Sequence, residues 1–248
     1  DDDLVYNMKE DLDCNVALFS VNPDNKRIRE HCRNGGLAAI TENNNFVICK
    51  GKSKINIAKI KEVPLTFSGD SESNNKNILP AIIASFVNHI SPALIKHCLK
   101  TFIPSPELTP GRMNLFKFKN FKVLLDYAHN EGAYLELKKF MSRIKASVKV
   151  GVISVPGDRR DEDLRKLGFY AAEIFNEIII KHDEARTRNN QQITDLLLEG
   201  IKEANPVLKP LIISNESEAV KYALDNARKD SFIFVCANEV TDVIDQVT

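Results

Sequence analysis

No apolar run in this chain approaches the roughly 18 residues that a membrane-spanning helix needs. The acidic opening over residues 1–13 also lacks the cationic start of a signal peptide. These absences predict a cytoplasmic, globular protein without a membrane partner. Neither charge is in excess, with 34 Lys and Arg against 34 Asp and Glu. No summed basic field is therefore available for sequence-independent nucleic-acid binding, which argues against nucleic acid as a partner. The five cysteines, Cys14, Cys32, Cys49, Cys98 and Cys236, are odd in number, scattered and free of any C-x-x-C pair. That pattern points to reduced thiols rather than a disulfide framework or a zinc site. Phosphate-binding loops are missing as well. Gly51-Lys52-Ser53 imitates the end of one, but the glycine required five residues earlier is Phe46, and residues 54–60 alternate like a strand. A hairpin turn is expected there, and no G-x-G-x-x-G occurs anywhere.

What is present divides into two parts. The 248 residues, 43% of them hydrophobic, suffice for one or two cores. The chain opens on three aspartates without an initiator methionine and reads as a piece of something longer. Up to Leu108 the pattern is mixed: a strand over 15–20, a short helix over 24–34, a meander of strands over 37–60, and helices over 74–90 and 91–102. Pro80 is expected in the first turn of its helix, where proline is tolerated. Pro104, Pro106, Pro110 and Gly111 then form a stretch of linker composition, and a domain boundary is placed near Thr109, dividing 1–108 from 109–248.

Beyond it, Val/Ile-rich strands over 122–126, 148–155, 177–181, 210–214 and 231–237 alternate with helical segments. This rhythm predicts an α/β fold with a Rossmann-like, mostly parallel sheet and helices on both faces. Ligands of such sheets bind outside the carboxyl ends of the strands. Those ends carry "DYAHN" from Asp126, "PGDRRDED" from Pro156, "HDEARTR" from His182 and "ANEVTD" from Ala237. His129 suits a base, a metal ligand, a ligand contact or a hydrogen-bonded structural role, and no metal can be assigned. "GDRRDED" reads equally as a helix start or as a site, because Gly157 and the Arg159-Arg160 pair are more than a cap requires. "HDEARTR" reads as a solvated loop or as part of the same site.

"TPGRMN", "VLLDYAHN" and "GDRRDED", in this order and spacing, resemble the Mur-ligase-like carboxyl-terminal portion of the cyanophycin synthetase family. "ALFSVNPDN" and "HCRNGGLAAI" extend the resemblance over nearly the whole chain. The resemblance implies that residues 1–108 are the later part of a central, ATP-binding domain and 109–248 the lid domain. It also implies an ATP- and Mg2+-dependent amide ligase in which a carboxylate becomes an acyl phosphate and an amine displaces phosphate. The amine that the resemblance implies is arginine, joined to the aspartate β-carboxylate of an aspartate-rich polymer. On that basis Arg112, Asp126, His129 and Asn130 are expected at the nucleotide. Gly157, Asp158, Arg159, Arg160, Asp161, Asp183, Glu184, Arg186 and Arg188 are expected at the amino acid, with Asp183 and Glu184 gripping its guanidinium. The family's phosphate loop and catalytic lysine would precede Asp1, so the remainder of the same polypeptide, an ATP-grasp domain included, is an expected partner and the chain is expected to be inactive alone. A homo-oligomer, another amine substrate, and a non-catalytic assembly domain remain as alternatives. Thr187 stands where the family pattern has a glycine, so a loop needing positive φ at that position must be shaped differently here.

Overall fold

The computed structural model describes residues 2–183 and 185–248, which form two compact units, one ending at Ile103 and one spanning Pro104–Thr248. The division lies inside the proline-bearing stretch, a few residues before Thr109. Among the described residues no helix is long and apolar enough to cross a membrane.

The first unit opens with a short helix, α1 (Asp3–Asn7), which the apolar pattern does not announce. A four-stranded sheet follows in the order β1-β2-β3-β4: β1 (Ala17–Ser20) lies parallel to β2 (Leu37–Glu42), and β3 (Asn45–Lys50) and β4 (Ser53–Lys59) continue antiparallel. Asn43 and Asn44, at φ 48° and 61°, turn β2 into β3, and Gly51, at φ 60°, turns β3 into β4. The Gly-Lys-Ser triplet is thus a hairpin turn. Side chains alternate across this sheet with the strand period. Ala38, Ile40, Val47 and Cys49 meet Ile28 and Cys32 of α2 (Lys26–Arg33). Ala39, Phe46 and Ile48 meet Ile78, Leu79 and Ile82 of α3 (Glu72–Val87) and Ile95 of α4 (Pro92–Thr101). Because α3 starts at Glu72, capped by the Ser71 side chain on Asn74 N, Pro80 lies inside the helix and not in its first turn. The earlier start was hidden because residues 71–74 are polar, although a serine cap followed by a glutamate marks a helix start on its own.

In the second unit a six-stranded sheet has the order β5-β6-β10-β7-β8-β9. Its strands are β5 (Asn114–Lys117), β6 (Phe121–Asp126), β7 (Lys149–Ile153), β8 (Glu177–Ile180), β9 (Leu211–Ile212) and β10 (Ser231–Cys236). All are parallel except β5, a hairpin partner of β6 whose short length escaped the sequence reading. The connections α5 (Glu131–Arg143), α6 (Asp161–Ile174) and α7 (Asn190–Ala204) all step in one direction across the sheet. The return through α8 (Glu216–Asp225) puts β10 between β6 and β7, and right-handed crossovers then place α8 on the other face. There Ala219, Val220 and Ala223 join Val243 and Val247 of α9 (Val240–Val247) over Val123, Val150, Val152, Ile179, Ile233 and Val235. α6 and α7 approach so closely that a Cβ on Gly168 would lie 2.2 Å from Leu197 O and one on Gly200 1.9 Å from Arg165 O, which explains glycine in two helix interiors.

Candidate functional site

The parallel strands carry the loops after β6, β7, β8 and β10 to one edge of the sheet. Asp126 and Cys236 end their strands as register partners. Their chains leave toward α5 and α9, on opposite faces, so this is a topological switch point, where ligands of open α/β sheets bind. Asp126 Oδ2 accepts from Met113 N at 2.8 Å. Burial pushes its carboxyl up, restrained by that amide and by the charges of Arg112 and His129. The Arg112 guanidinium lies 5.8 Å from the centroid of the Tyr127 ring. His129 Nδ1 donates to Tyr127 O at 2.9 Å, which fixes the orientation of the ring. Asn130 caps α5, its Oδ1 accepting from Ala133 N at 2.9 Å.

The loops after β7 and β8 are stitched together. Arg188 donates through Nη1 to the carbonyls of Gly157 and Arg159, and through Nη2 to Asp161 Oδ1 at 2.6 Å. Arg186 Nη1 reaches Asp158 Oδ2 at 2.6 Å, and that hydrogen bond holds the Asp158 carboxyl below its ordinary range. Thr187 Oγ1 donates to Gly157 O at 3.0 Å. A Cβ on Gly157 would lie 1.9 Å from Ala185 O, so only glycine lets the two loops close. Arg160 turns to its own helix, with Nη2 2.9 Å from Asp163 Oδ1 and Nη1 2.6 Å from Glu162 Oε1.

Beneath these loops sits a cation that strand patterning overlooked. Lys181 follows the three isoleucines of β8 and its side chain is 0% exposed. Its Nζ donates to Ser154 Oγ at 2.8 Å and Asp183 Oδ1 at 2.6 Å, and lies 2.9 Å from Glu216 Oε1. Burial opposes the ammonium, but Asp183, Cys236 and Glu216 together outweigh it and raise its pKa above the ordinary value. Glu216 in turn accepts from Asn238 N and Glu239 N, both at 2.9 Å, where α9 begins. One buried ammonium therefore ties together the loops after β7, β8, β9 and β10. Nearby, the Cys236 thiol donates to Ala128 O, and burial pushes its pKa up to about 12, so it is an inert packing residue.

Residues 111–238 match the family described as "Mur ligase, glutamate ligase domain". The chain belongs to the Mur ligase family. It is 38% identical over 248 residues to the cyanophycin synthetase of Geminocystis herdmanii, all of this chain but 28% of that protein. With the UDP-N-acetylmuramoyl-L-alanyl-D-glutamate–2,6-diaminopimelate ligase of Caldanaerobacter subterraneus it shares 30% identity over 117 residues, 47% of this chain and 24% of that one. Among solved structures, E. coli FolC in complex with ADP superposes with a TM-score of 0.62 at 17% identity, covering 88% of this chain and 50% of that chain, a likeness of fold. The chain thus spans little more than a quarter of the cyanophycin synthetase it matches.

For a Mur ligase portion, the edge is unevenly equipped. Asp126, His129 and Asn130 lie along the end of β6 and the start of α5, with Asn130 engaged as a helix cap, and Arg112, in the turn before β5, stands near Tyr127. Asp158, Arg186, Asp161 and Arg188 come together as two ion pairs. Asp183 does not stand free for a guanidinium, because Lys181 holds it; the sequence reading named no partner for Lys181, although a lysine closing a buried strand needs one. Glu184 lies outside the described residues. Thr187 is not at positive φ; the left-handed residue of that loop is Arg186, at φ 51°. Among the described residues of the second unit the helix N-termini are already engaged. Asn130, Asn189 and Asn215 cap α5, α7 and α8, Glu216 occupies the start of α9, and Asp161, Glu162 and Asp163 fill the first turn of α6. Among the described residues no three His, Cys, Asp or Glu side chains gather as a metal site, so no Mg2+ ligand is assigned to this chain.

Proposed function

We propose that the chain is the later portion of a longer ATP-dependent amide ligase, and that it joins the α-amine of arginine to the β-carboxylate of an aspartate-rich polymer. The reading is supported above all by the 38% identity to a cyanophycin synthetase along the full chain, against partial coverage by the diaminopimelate-adding ligase. The edge geometry is suited to it. ATP supplies the phosphoryl group that activates the carboxylate, and the phosphate-holding residues belong to the rest of the polypeptide. Asp126, with one oxygen satisfied by Met113 N, offers the other to a ribose hydroxyl, and Arg112 stands beside it. The loops after β7 and β8 receive the amino acid among alternating cations and acids. They are tied to each other and to Lys181, so the amine is held in place while two anions are brought together, the kind of positioning on which such ligations depend.

The test is an amine panel. The longer polypeptide, given ATP, Mg2+ and an aspartate-terminated acceptor, should release ADP and form amide with arginine and much less with lysine, whose point charge cannot replace a planar fork. Turnover with another amino acid in place of arginine would support a different amine substrate, and no turnover with any would support a non-catalytic domain.

A further inference from the structure

We propose that the second sheet carries, at the edge opposite the candidate site, a docking surface for the aspartate-rich polymer; the proposal rests on the reading of that polymer as substrate. Residues 116–122 read Phe-Lys-Phe-Lys-Asn-Phe-Lys, and Phe118 N donates to Phe121 O at 3.0 Å to close the β5–β6 hairpin. Two neighbouring turns are tied to it. Asp230 N donates to Asn120 O at 2.6 Å, and Ser147 donates through N to Asp230 O at 2.9 Å and through Oγ to Lys229 O at 2.6 Å. These bonds bring Lys119, Lys122 and Lys145 around one open hollow of about 130 Å3, with Lys117 and Lys229 beside them. All of these lysines are exposed, and none has an ion-pair partner among the described residues. Elsewhere in the unit, Lys138, Lys166 and Lys221 each meet an acid within 3.0 Å. Lys117 and Lys122 are moreover register partners across the hairpin, a like-charged pair that weakens its own sheet. An anionic partner offsets that cost.

The anion is a chain of carboxylates rather than of phosphates. Lysine holds an anion as a point charge and fixes no orientation, which suits a polymer that must be gripped and released. Asp230 also lines the hollow, where it would repel a bare row of phosphates, whereas a peptide carries a backbone N–H beside every carboxylate for it to accept. Nucleic-acid bases need an open aromatic face. Phe118 offers little of one, since its ring stacks on Phe121 with centroids 4.5 Å apart. Lys122 stands near the start of β6 and Asp126 at its end, so the surface and the site edge are separated by roughly 17 Å of strand. An acceptor of about three residues cannot reach both, and one of about twenty can.

The test is fluorescence anisotropy of the 248-residue chain with labelled L-aspartate homopolymers of about three and about twenty residues, and with a single-stranded oligonucleotide as long as the second. The longer homopolymer should bind, and more weakly as salt rises. Lys122→Glu/Lys145→Glu should weaken it about tenfold or more by setting like charges against each other, while Lys202→Glu/Lys209→Glu, the same change of net charge elsewhere in the unit, should not. Lys122→Glu also sets an acid opposite Lys117, so Tm should hold or rise, which separates lost docking from lost fold. In the longer polypeptide, given ATP, Mg2+ and arginine, the Lys122→Glu/Lys145→Glu variant should raise KM for the longer acceptor and leave the short one unchanged. Equal binding by wild type and variant, an equal loss in the control, tighter binding of the oligonucleotide, or no binding of the homopolymer at low salt would each overturn the surface. If the homopolymer binds through these lysines but the longer polypeptide adds nothing to it, the docking stands and the ligation reading fails.

Discussion

Replacing Lys181 by methionine keeps most of the side-chain volume and removes the charge that Asp183 and Glu216 share. Breaking a buried pair by deleting one partner costs about 3–5 kcal/mol, mostly through the charge left behind. Here two carboxylates are left, with side chains only 10% and 13% exposed. In a unit of this size that loss corresponds to a drop in Tm of roughly 6–20 °C. The pH dependence carries the sign. In the wild type the Glu216 carboxyl, despite burial, is held below its ordinary range by Lys181 and by the amides of Asn238 and Glu239. Its contribution is present above the unfolded carboxyl pKa and is lost as pH falls through the lowered folded value. Lys181, with its pKa raised, contributes fully below the unfolded lysine pKa, and that contribution is lost as pH rises through the folded one. Without the ammonium, the burial of Glu216 is opposed only by the amides of Asn238 and Glu239, so its ionisation supports the fold less. The difference between variant and wild type should then be largest at pH 7–8 and shrink toward pH 4.5. Urea or thermal unfolding of the chain followed by far-UV circular dichroism across this range measures it. A Lys181→Met/Asp183→Asn double variant should recover part of the loss. A Lys181→Met chain within about 1 kcal/mol of wild type at every pH, well below what a broken buried pair costs, would refute the hub.

Two further outcomes follow from the edge. Calorimetry of ATP with Mg2+ against the 248-residue chain should show weak binding at most, since the helix N-termini of its second unit are capped or acidic; micromolar affinity would place a phosphate site within this chain. Asp126→Asn, in the longer polypeptide, should raise the ATP KM of the proposed amide formation by roughly ten- to a hundredfold, the worth of a hydrogen bond to a charged acceptor. Its fold should be as stable as wild type at pH 7 or more so: burial raises the Asp126 pKa, so its ionisation opposes folding as pH rises from the unfolded carboxyl pKa through the folded value. A loss of stability together with activity would make Asp126 structural.

The alternation of the second unit was readable because its central strands are buried on both faces and its helices carry clear apolar stripes, so sheet type emerged from the pattern itself. What escaped were elements too short or too polar to show a period: β5, whose four residues take their meaning from pairing with β6; α9, whose start is fixed by Glu216 from across the chain; and the first turn of α3. The candidate residues were read as lying at strand ends, which the structure gathers along one edge of the sheet, yet the contacts they make depend on partners distant in sequence. Asp183 is bound by Lys181 two residues away, but the need for that bond appears only once β8 is seen covered on both sides. Arg188 reaches back to Gly157, and nothing local to either residue records it.

Whether this Mur ligase portion serves an acyl-phosphate ligation is decided by the fate of the acceptor's carboxylate oxygens. The longer polypeptide is supplied with an aspartate-terminated acceptor whose β-carboxylate carries a heavy oxygen isotope, together with ATP, Mg2+ and arginine. If that carboxylate attacks the terminal phosphorus of ATP and the arginine amine then displaces phosphate from the acyl carbon, one labelled oxygen leaves with each phosphate, and phosphorus NMR will show the isotope shift in inorganic phosphate in step with amide formed. Arg112→Ala should lower both signals together. Label appearing in AMP, or amide formed with unlabelled phosphate, would contradict the account.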